Sequence, residues 1–190
     1  MKTVWTKTCA VGLAIAFLGA SQLAAAQPEA SCDGIVTSDP KHMYDFKIGT
    51  WNLRWKNQYR DGFAEFDAVS KVYTMMDGDI VMDEQVAQYF KGVTFRTYDK
   101  NLGEWVVRWL PANSTWYPPI SASLEDCTPV ERHVMATPTG ENAKVRTRFT
   151  DITANSFAFH QDWSTDGGKS WNRDVLYYEA TRVDAPESAQ

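Results

Sequence analysis

Between Asp45 and Trp55 the chain reads D-F-K-I-G-T-W-N-L-R-W. Trp51, Leu53 and Trp55 fall on one side of a period-2 pattern, and Thr50, Asn52 and Arg54 fall on the other. That alternation is what a strand shows when one face is buried and the other is wet. Two indoles flanking one leucine make a heavy apolar face, since each ring can remove roughly 150–250 Å² from water. A lone hairpin cannot cover so much surface, so the strand needs a closed or sandwiched sheet.

The same period continues downstream. Arg60-Asp61-Gly62 predicts a turn, and in Phe63–Tyr73 the polar Glu65, Asp67 and Lys71 alternate with Phe66, Ala68 and Val72. Asp77-Gly78 is a hairpin signal. On the return strand Ile80, Met82 and Val86 are expected to carry the apolar face, and Glu84 shares their parity. Lys91-Gly92 leads into Val93–Tyr98, and Asp99–Gly103 turns the chain into Trp105–Leu110, where Trp105, Val107 and Trp109 share a side. The stretch Pro111–Pro138 holds five prolines, so it is expected to be irregular with two short strands, Ile120–Leu124 and Arg132–Ala136. Val145–Thr150, Ser156–Trp163 and Asp174–Val183 complete the set. Strands every ten residues or so, joined by short turns and with no helical period, predict an all-β fold. An antiparallel up-and-down barrel of roughly eight to ten strands is the simplest form.

Two motifs sharpen this picture. Gly49-Thr50-Trp51 on the first strand resembles the G-x-W signature of the calycin superfamily, the lipocalin-like barrels. The resemblance spans most of Phe46–Val183 and is nearest to small exported bacterial calycin-like domains. It implies that Trp51 closes the barrel base against Arg182 on the last strand, as a cation–π pair, and that the opposite mouth receives a ligand. The other lipocalin motifs are not recognisable. Ser164-Thr165-Asp166-Gly167-Gly168-Lys169-Ser170-Trp171 resembles the Asp-box hairpin, S-x-D-x-G-x-x-W. That resemblance implies a structural turn in which Ser164 and Asp166 bind backbone, Gly168 supplies an unusual φ and Trp171 plugs the hairpin.

Candidate chemistry is sparse. Glu84, among apolar residues of its own parity, would be a desolvated carboxylate suited to proton transfer, unless a bulge returns it to solvent. His160 and Asp162 share the other side of their strand, where an acid–base pair and an exposed face look alike. Gln161 shares a face with Phe157, Phe159 and Trp163 and is a candidate polar anchor. Trp55, Trp109 and Trp163 are the expected aromatic lining, with Tyr98, Glu84 and Gln161 as its polar edge. Trp116 and Tyr117 are a candidate lid. The three histidines, His42, His133 and His160, lack metal-ligand spacing, so no metal is expected, and no motif points to a cofactor.

Composition changes the picture mainly at the N-terminus. Lys2 and Lys7, the apolar run Ala10–Ala20 and the triplet Ala24-Ala25-Ala26 read as a cleaved secretory signal over residues 1–26, cut before Gln27. An N-terminal arm over 27–44, a barrel domain over 45–184 and a tail over 185–190 are then expected. Loss of Lys2 and Lys7 takes the formal charge from −5 to −7, which gives no reason to bind nucleic acid or anionic lipid. Cys9 leaves with the signal, and Cys32 and Cys127 are expected to pair in an oxidising periplasmic or extracellular compartment.

Three functions fit these readings. The first is a periplasmic carrier of a small apolar or aromatic molecule. The second is a cofactor-free isomerase, hydratase or cyclase using Glu84 or His160. The third is a filled barrel acting as a structural or partner-binding module.

Overall fold

The computed structural model describes Cys32, residues 36–59 and residues 62–183. The expected signal sequence and the tail lie outside the described residues. Ten strands form a closed barrel: β1 (Gly49–Tyr59), β2 (Gly62–Met75), β3 (Ile80–Ala87), β4 (Lys91–Asp99), β5 (Glu104–Pro111), β6 (Ile120–Glu125), β7 (Thr128–Ala136), β8 (Asn142–Thr150), β9 (Ser156–Ser164) and β10 (Asn172–Arg182). Each strand pairs antiparallel with its sequence neighbour, and β1 closes the ring on β10 through Trp51 opposite Arg182 and Trp55 opposite Tyr178. The expected up-and-down all-β barrel is therefore what forms, with no free sheet edge left.

The inward face follows from register. Trp51, Leu53, Trp55 and Asn57 of β1 face in, and in β2 Phe66, Ala68, Ser70 and Val72 do the same. Trp105, Val107 and Trp109 of β5 share the inner side, in agreement with their period.

Strand β3 corrects the sequence reading. Its entry turn, Met76–Gly78, uses Asp77 at φ 56° and Gly78 at φ 92°, and sets Met75 opposite Ile80 and Val72 opposite Asp83. That register turns Val81, Asp83 and Gln85 inward and puts Ile80, Met82, Glu84 and Val86 outside. Met82 is buried beneath the Tyr73 side chain, whose hydroxyl lies 3.7 Å from its sulfur. An apolar residue can thus sit on the outer wall and still be shielded, which is why hydropathy misassigned the parity.

The base of the barrel is plugged by the arm, which in the structure runs on past the expected residue 44 to the start of β1 at Gly49. Two 3-10 turns, Pro40–His42 and Asp45–Lys47, carry Met43, Tyr44, Phe46 and Lys47 into the interior, where each is buried. Trp105 Nε1 donates to the Pro40 carbonyl at 2.7 Å, and Trp51 Nε1 donates to that of Lys47 at 2.6 Å. Phe46 packs edge-on against Phe149 and Phe157, and Tyr44 packs edge-on against Trp105. A Cys32–Cys127 disulfide ties the arm to the β6–β7 turn across 95 residues of sequence. Among the described residues, no helix is long and apolar enough to cross a membrane.

Candidate functional site

The interior divides into three levels along the barrel axis. At the base, the Arg182 guanidinium lies 4.1 Å from the centre of the Trp51 ring, and Trp51 is fully buried. Arg182 also donates to the carbonyls of Ala154, Ile48 and Phe46, at 2.6, 2.9 and 3.5 Å. These contacts close the lower end. Tyr98 points inward here as well, packed at 5.7 Å against Trp105 beside the β4–β5 turn. It lies at the opposite end from the mouth, so it is not grouped with Trp55, Trp109 and Trp163 as the sequence reading expected.

The middle level holds a cluster that sequence reasoning missed. Lys47, Asp83, Arg96 and Glu131 come from the arm, β3, β4 and β7, and all four are buried. Asp83 lies 3.7 Å from Lys47 Nζ and 3.5 Å from Arg96 Nη1, and Arg96 Nε lies 3.7 Å from Glu131. Ser70 Oγ donates to Asp83 at 2.6 Å, Gln85 Nε2 donates to it at 3.2 Å, and Tyr44 Oη donates to Glu131 at 2.8 Å. Burial pushes the Asp83 carboxyl up. Lys47, Arg96 and the two hydrogen bonds more than offset this and hold it below the usual carboxylate range. Burial pushes the Lys47 ammonium down to about 8 despite Asp83, and raises the Tyr44 and Tyr178 phenols well above their ordinary value. The Lys47 ammonium also stands 4.6 Å above the Phe149 ring and 4.9 Å above that of Phe157. With two cations and two anions, the cluster consumes its own charge.

One signal of it was legible. Asp83 and Gln85 in one parity, opposite Met82 and Glu84 in the other, leave β3 without a clean polar face.

The upper level is aromatic. Trp55 stacks on Phe66 at 6.0 Å with a 10° interplanar angle, and meets Phe90 edge-on at 5.5 Å and Tyr178 at 4.6 Å. Phe90 packs edge-on against Trp109 at 6.2 Å. Trp163 Nε1 donates to Gln161 Oε1 at 2.9 Å, and Gln161 Nε2 donates to Thr147 Oγ1 at 3.3 Å, so Gln161 is held by its neighbours. Trp109, His133, Gln161 and Trp163 face inward yet are only half-buried, and among the described residues Phe90 of the β3–β4 turn packs against Trp55 and Trp109 at this end. Trp55 Nε1, Asn57 Oδ1 and His133 Nδ1 are buried without a hydrogen-bond partner. Burial lowers the His133 pKa, so its ring is neutral at neutral pH.

The remaining candidates lie outside the ring. Glu84 is on the outer wall and accepts a hydrogen bond from Tyr73 Oη at 3.1 Å, so it is not an interior carboxylate. His160 is also outside, with Nδ1 2.8 Å from Asp174 and Nε2 3.0 Å from Thr150. Its strand-mate Asp162 does not pair with it. That carboxylate lies buried beneath Arg146 at 2.9 Å and Arg148 at 3.3 Å. Trp116 is not a lid: its ring packs at 5.8 Å against Phe95 and beneath Arg108, both on the outer wall. The turn after β9 makes the local bonds its residues allow. Ser164 Oγ donates to Asp166 at 2.8 Å, and Asp166 accepts from the Lys169 and Ser170 backbone. Hydrogen bonds from Ser170 and Ser164 hold its carboxyl well below the usual range. Trp171 lies under the Arg146 guanidinium at 4.5 Å. Two open grooves also indent the outer wall, one between Arg54, Asp67, Val86 and Glu179, the other between Arg132, Lys144 and Trp171. Among the described residues, no group of three or more metal-ligating side chains is assembled.

Among solved structures, the chain is similar to the S-type phycobiliprotein lyase CPES from Guillardia theta, with a TM-score of 0.51 and 11% identity. The match covers 76% of this chain and 93% of that one. At that identity the likeness is one of fold, that of a closed antiparallel barrel. No family model matches the chain, and no curated protein sequence does.

Proposed function

We propose that this protein is an exported calycin-like barrel that takes a small apolar or aromatic molecule into the upper half of its interior. One observation carries the reading: among the described residues the arm plugs the base, whereas inward-facing side chains at the opposite end stay half-exposed. Arg182, Trp51 and the arm close the base, whereas inward-facing Trp109, Gln161 and Trp163 keep contact with solvent at the mouth. Concave aromatic surface with a few fixed polar groups is what such ligands require. Trp55, Trp109 and Trp163 form the lining, and Gln161 serves as an anchor positioned by Thr147 and Trp163. The enzymatic alternative loses support, because neither Glu84 nor His160 faces the interior.

Export is supported by the basic and apolar start of the chain and by the disulfide, which belongs to oxidising compartments. N-terminal sequencing of secreted material should begin at Gln27.

The binding reading is tested by titrating the protein with neutral aromatic compounds while following tryptophan emission. Quenching should saturate at one equivalent, and Trp109→Phe and Trp163→Phe should each remove part of the signal. A filled barrel predicts no saturable quenching with any compound, and that result would overturn the reading.

A further inference from the structure

We infer that the occupant of the upper interior is an uncharged flat molecule whose polar end carries both a hydrogen-bond acceptor and a donor. An amide, lactam or phenol is of that class, and a carboxylate or an ammonium is not. The inference rests on the interior-binding reading above and adds the polarity of the ligand to it.

The argument starts from the unmatched groups of the upper level. Trp55 Nε1 is a donor with no acceptor, and Asn57 Oδ1 is an acceptor with no donor. Both side chains are more than nine-tenths buried, at 7% and 8% exposure. They sit two positions apart on the inner side of β1, so both point into the same part of the interior. A buried polar group left without a partner is costly, and native structures contain few of them without a reason. His133 Nδ1, on β7, is a third unpartnered atom, able to donate or accept according to tautomer. An indole N–H calls for an acceptor and a side-chain carbonyl calls for a donor. One molecule that brings both satisfies the pair.

The charged cluster below sets the other half of the specificity. Lys47 and Arg96 are the buried interior cations, and Asp83 and Glu131 already stand against them at 3.5–3.7 Å. Arg96 Nε and Nη1 make no hydrogen bond, but each faces a carboxylate, Glu131 at 3.7 Å and Asp83 at 3.5 Å, so a ligand carboxylate meets no cation without a counter-charge. A ligand ammonium meets the mirror-image problem. Burying an ion without a counter-charge is far more expensive than burying a neutral hydrogen-bonding group. The flatness follows from the walls: the Trp55 and Phe66 rings lie parallel, Phe90 is set edge-on to both, and Trp109 is edge-on to Phe90, so aromatic faces and edges are presented.

The test uses three probes of one shape: naphthalene, 2-naphthamide and 2-naphthoate, titrated into the mature protein at pH 7 and followed by tryptophan emission. The amide should bind at least tenfold more tightly than the carboxylate, and more tightly than the hydrocarbon. Asn57→Leu supplies the second arm. It replaces an unmatched acceptor with an apolar group of similar size, so the unliganded variant should be at least as stable as the parent while its preference for amide over naphthalene disappears. If 2-naphthoate binds as tightly as the amide, the interior is a binding site but the polarity assignment is wrong. The polarity assignment is equally wrong if Asn57→Leu keeps the preference. If none of the three probes binds, the interior-binding reading fails, and this inference fails with it.

Discussion

The indole of Trp109 occupies the space that a side chain on Gly92 would need. A Cβ built on Gly92 would stand 2.6 Å from Cζ2 and Cη2 of the ring and 2.6 Å from the Leu110 carbonyl. The two residues lie near each other on adjacent strands, with Gly92 opposite Pro111 and Thr94 opposite Trp109. Glycine on β4 therefore lets the Trp109 ring lie against the inner wall. Gly92→Ala should cost about 1–3 kcal/mol, the range for overpacking a filled core. Chemical denaturation measures the loss, and a shift of tryptophan emission should accompany it as the ring is pushed off the wall.

The interior charges should behave as a unit. Asp83→Leu strands Lys47 and Arg96 with one remaining carboxylate, and such a break of a buried pair should cost about 3–5 kcal/mol. Adding Lys47→Met restores charge balance, so the double variant should recover part of that loss. A double-mutant cycle by urea unfolding should give a coupling of about 1 kcal/mol or more, within the range for groups in one network. Additive losses would show that Lys47 and Asp83 do not interact.

Acid should act through the same aspartate. The folded-state pKa of Asp83 is depressed, so the unfolded chain binds the proton more readily. The associated stability is present above about pH 4, the ordinary carboxylate value, and is lost as pH falls through the folded value. Melting temperature measured from pH 7 down to pH 2 should fall below pH 4, and the Asp83→Leu variant should fall less steeply.

At the base, Arg182 combines a cation–π contact with three backbone carbonyls. Arg182→Lys keeps the charge but not the planar fork, so it cannot reproduce those bonds. A loss of about 1–3 kcal/mol is expected for Arg182→Lys, and thermal melting should detect it. A Lys variant as stable as the parent would mean that charge alone closes the base.

The disulfide closes a loop of nearly a hundred residues, for which chain entropy sets an upper figure of about 4–5 kcal/mol. A Cys32→Ala, Cys127→Ala double variant should still fold, because the arm is also held by Trp105, Phe46 and Lys47. Its melting temperature should drop, and addition of a thiol reductant should lower the parent toward the variant.

The architecture was legible because it rests on a local period. In β1 and β5 the inner and outer sides differ sharply in hydropathy, so Trp51, Trp55, Trp105 and Trp109 could be placed inward from the string of residues alone. The partnership of Trp51 with Arg182 was legible too, through a motif at one end of the chain and an arginine at the other. Where a strand carries apolar residues on both sides, as β3 does, the period is ambiguous: it leaves Glu84 open to either side, and the hairpin register puts it outside and Asp83 inside.

What only the tertiary structure decided is which distant side chains meet. The union of Lys47, Asp83, Arg96 and Glu131 depends on the registers of three strands and on the arm entering the base, and no local pattern encodes those together. The same holds for Trp116, whose place against Phe95 and Arg108 follows from the path of the loop after β5. Alternation is set by the backbone of each strand and can be read residue by residue. Contact across the barrel is set by closure of the whole ring, so it exists only once all ten strands are in place.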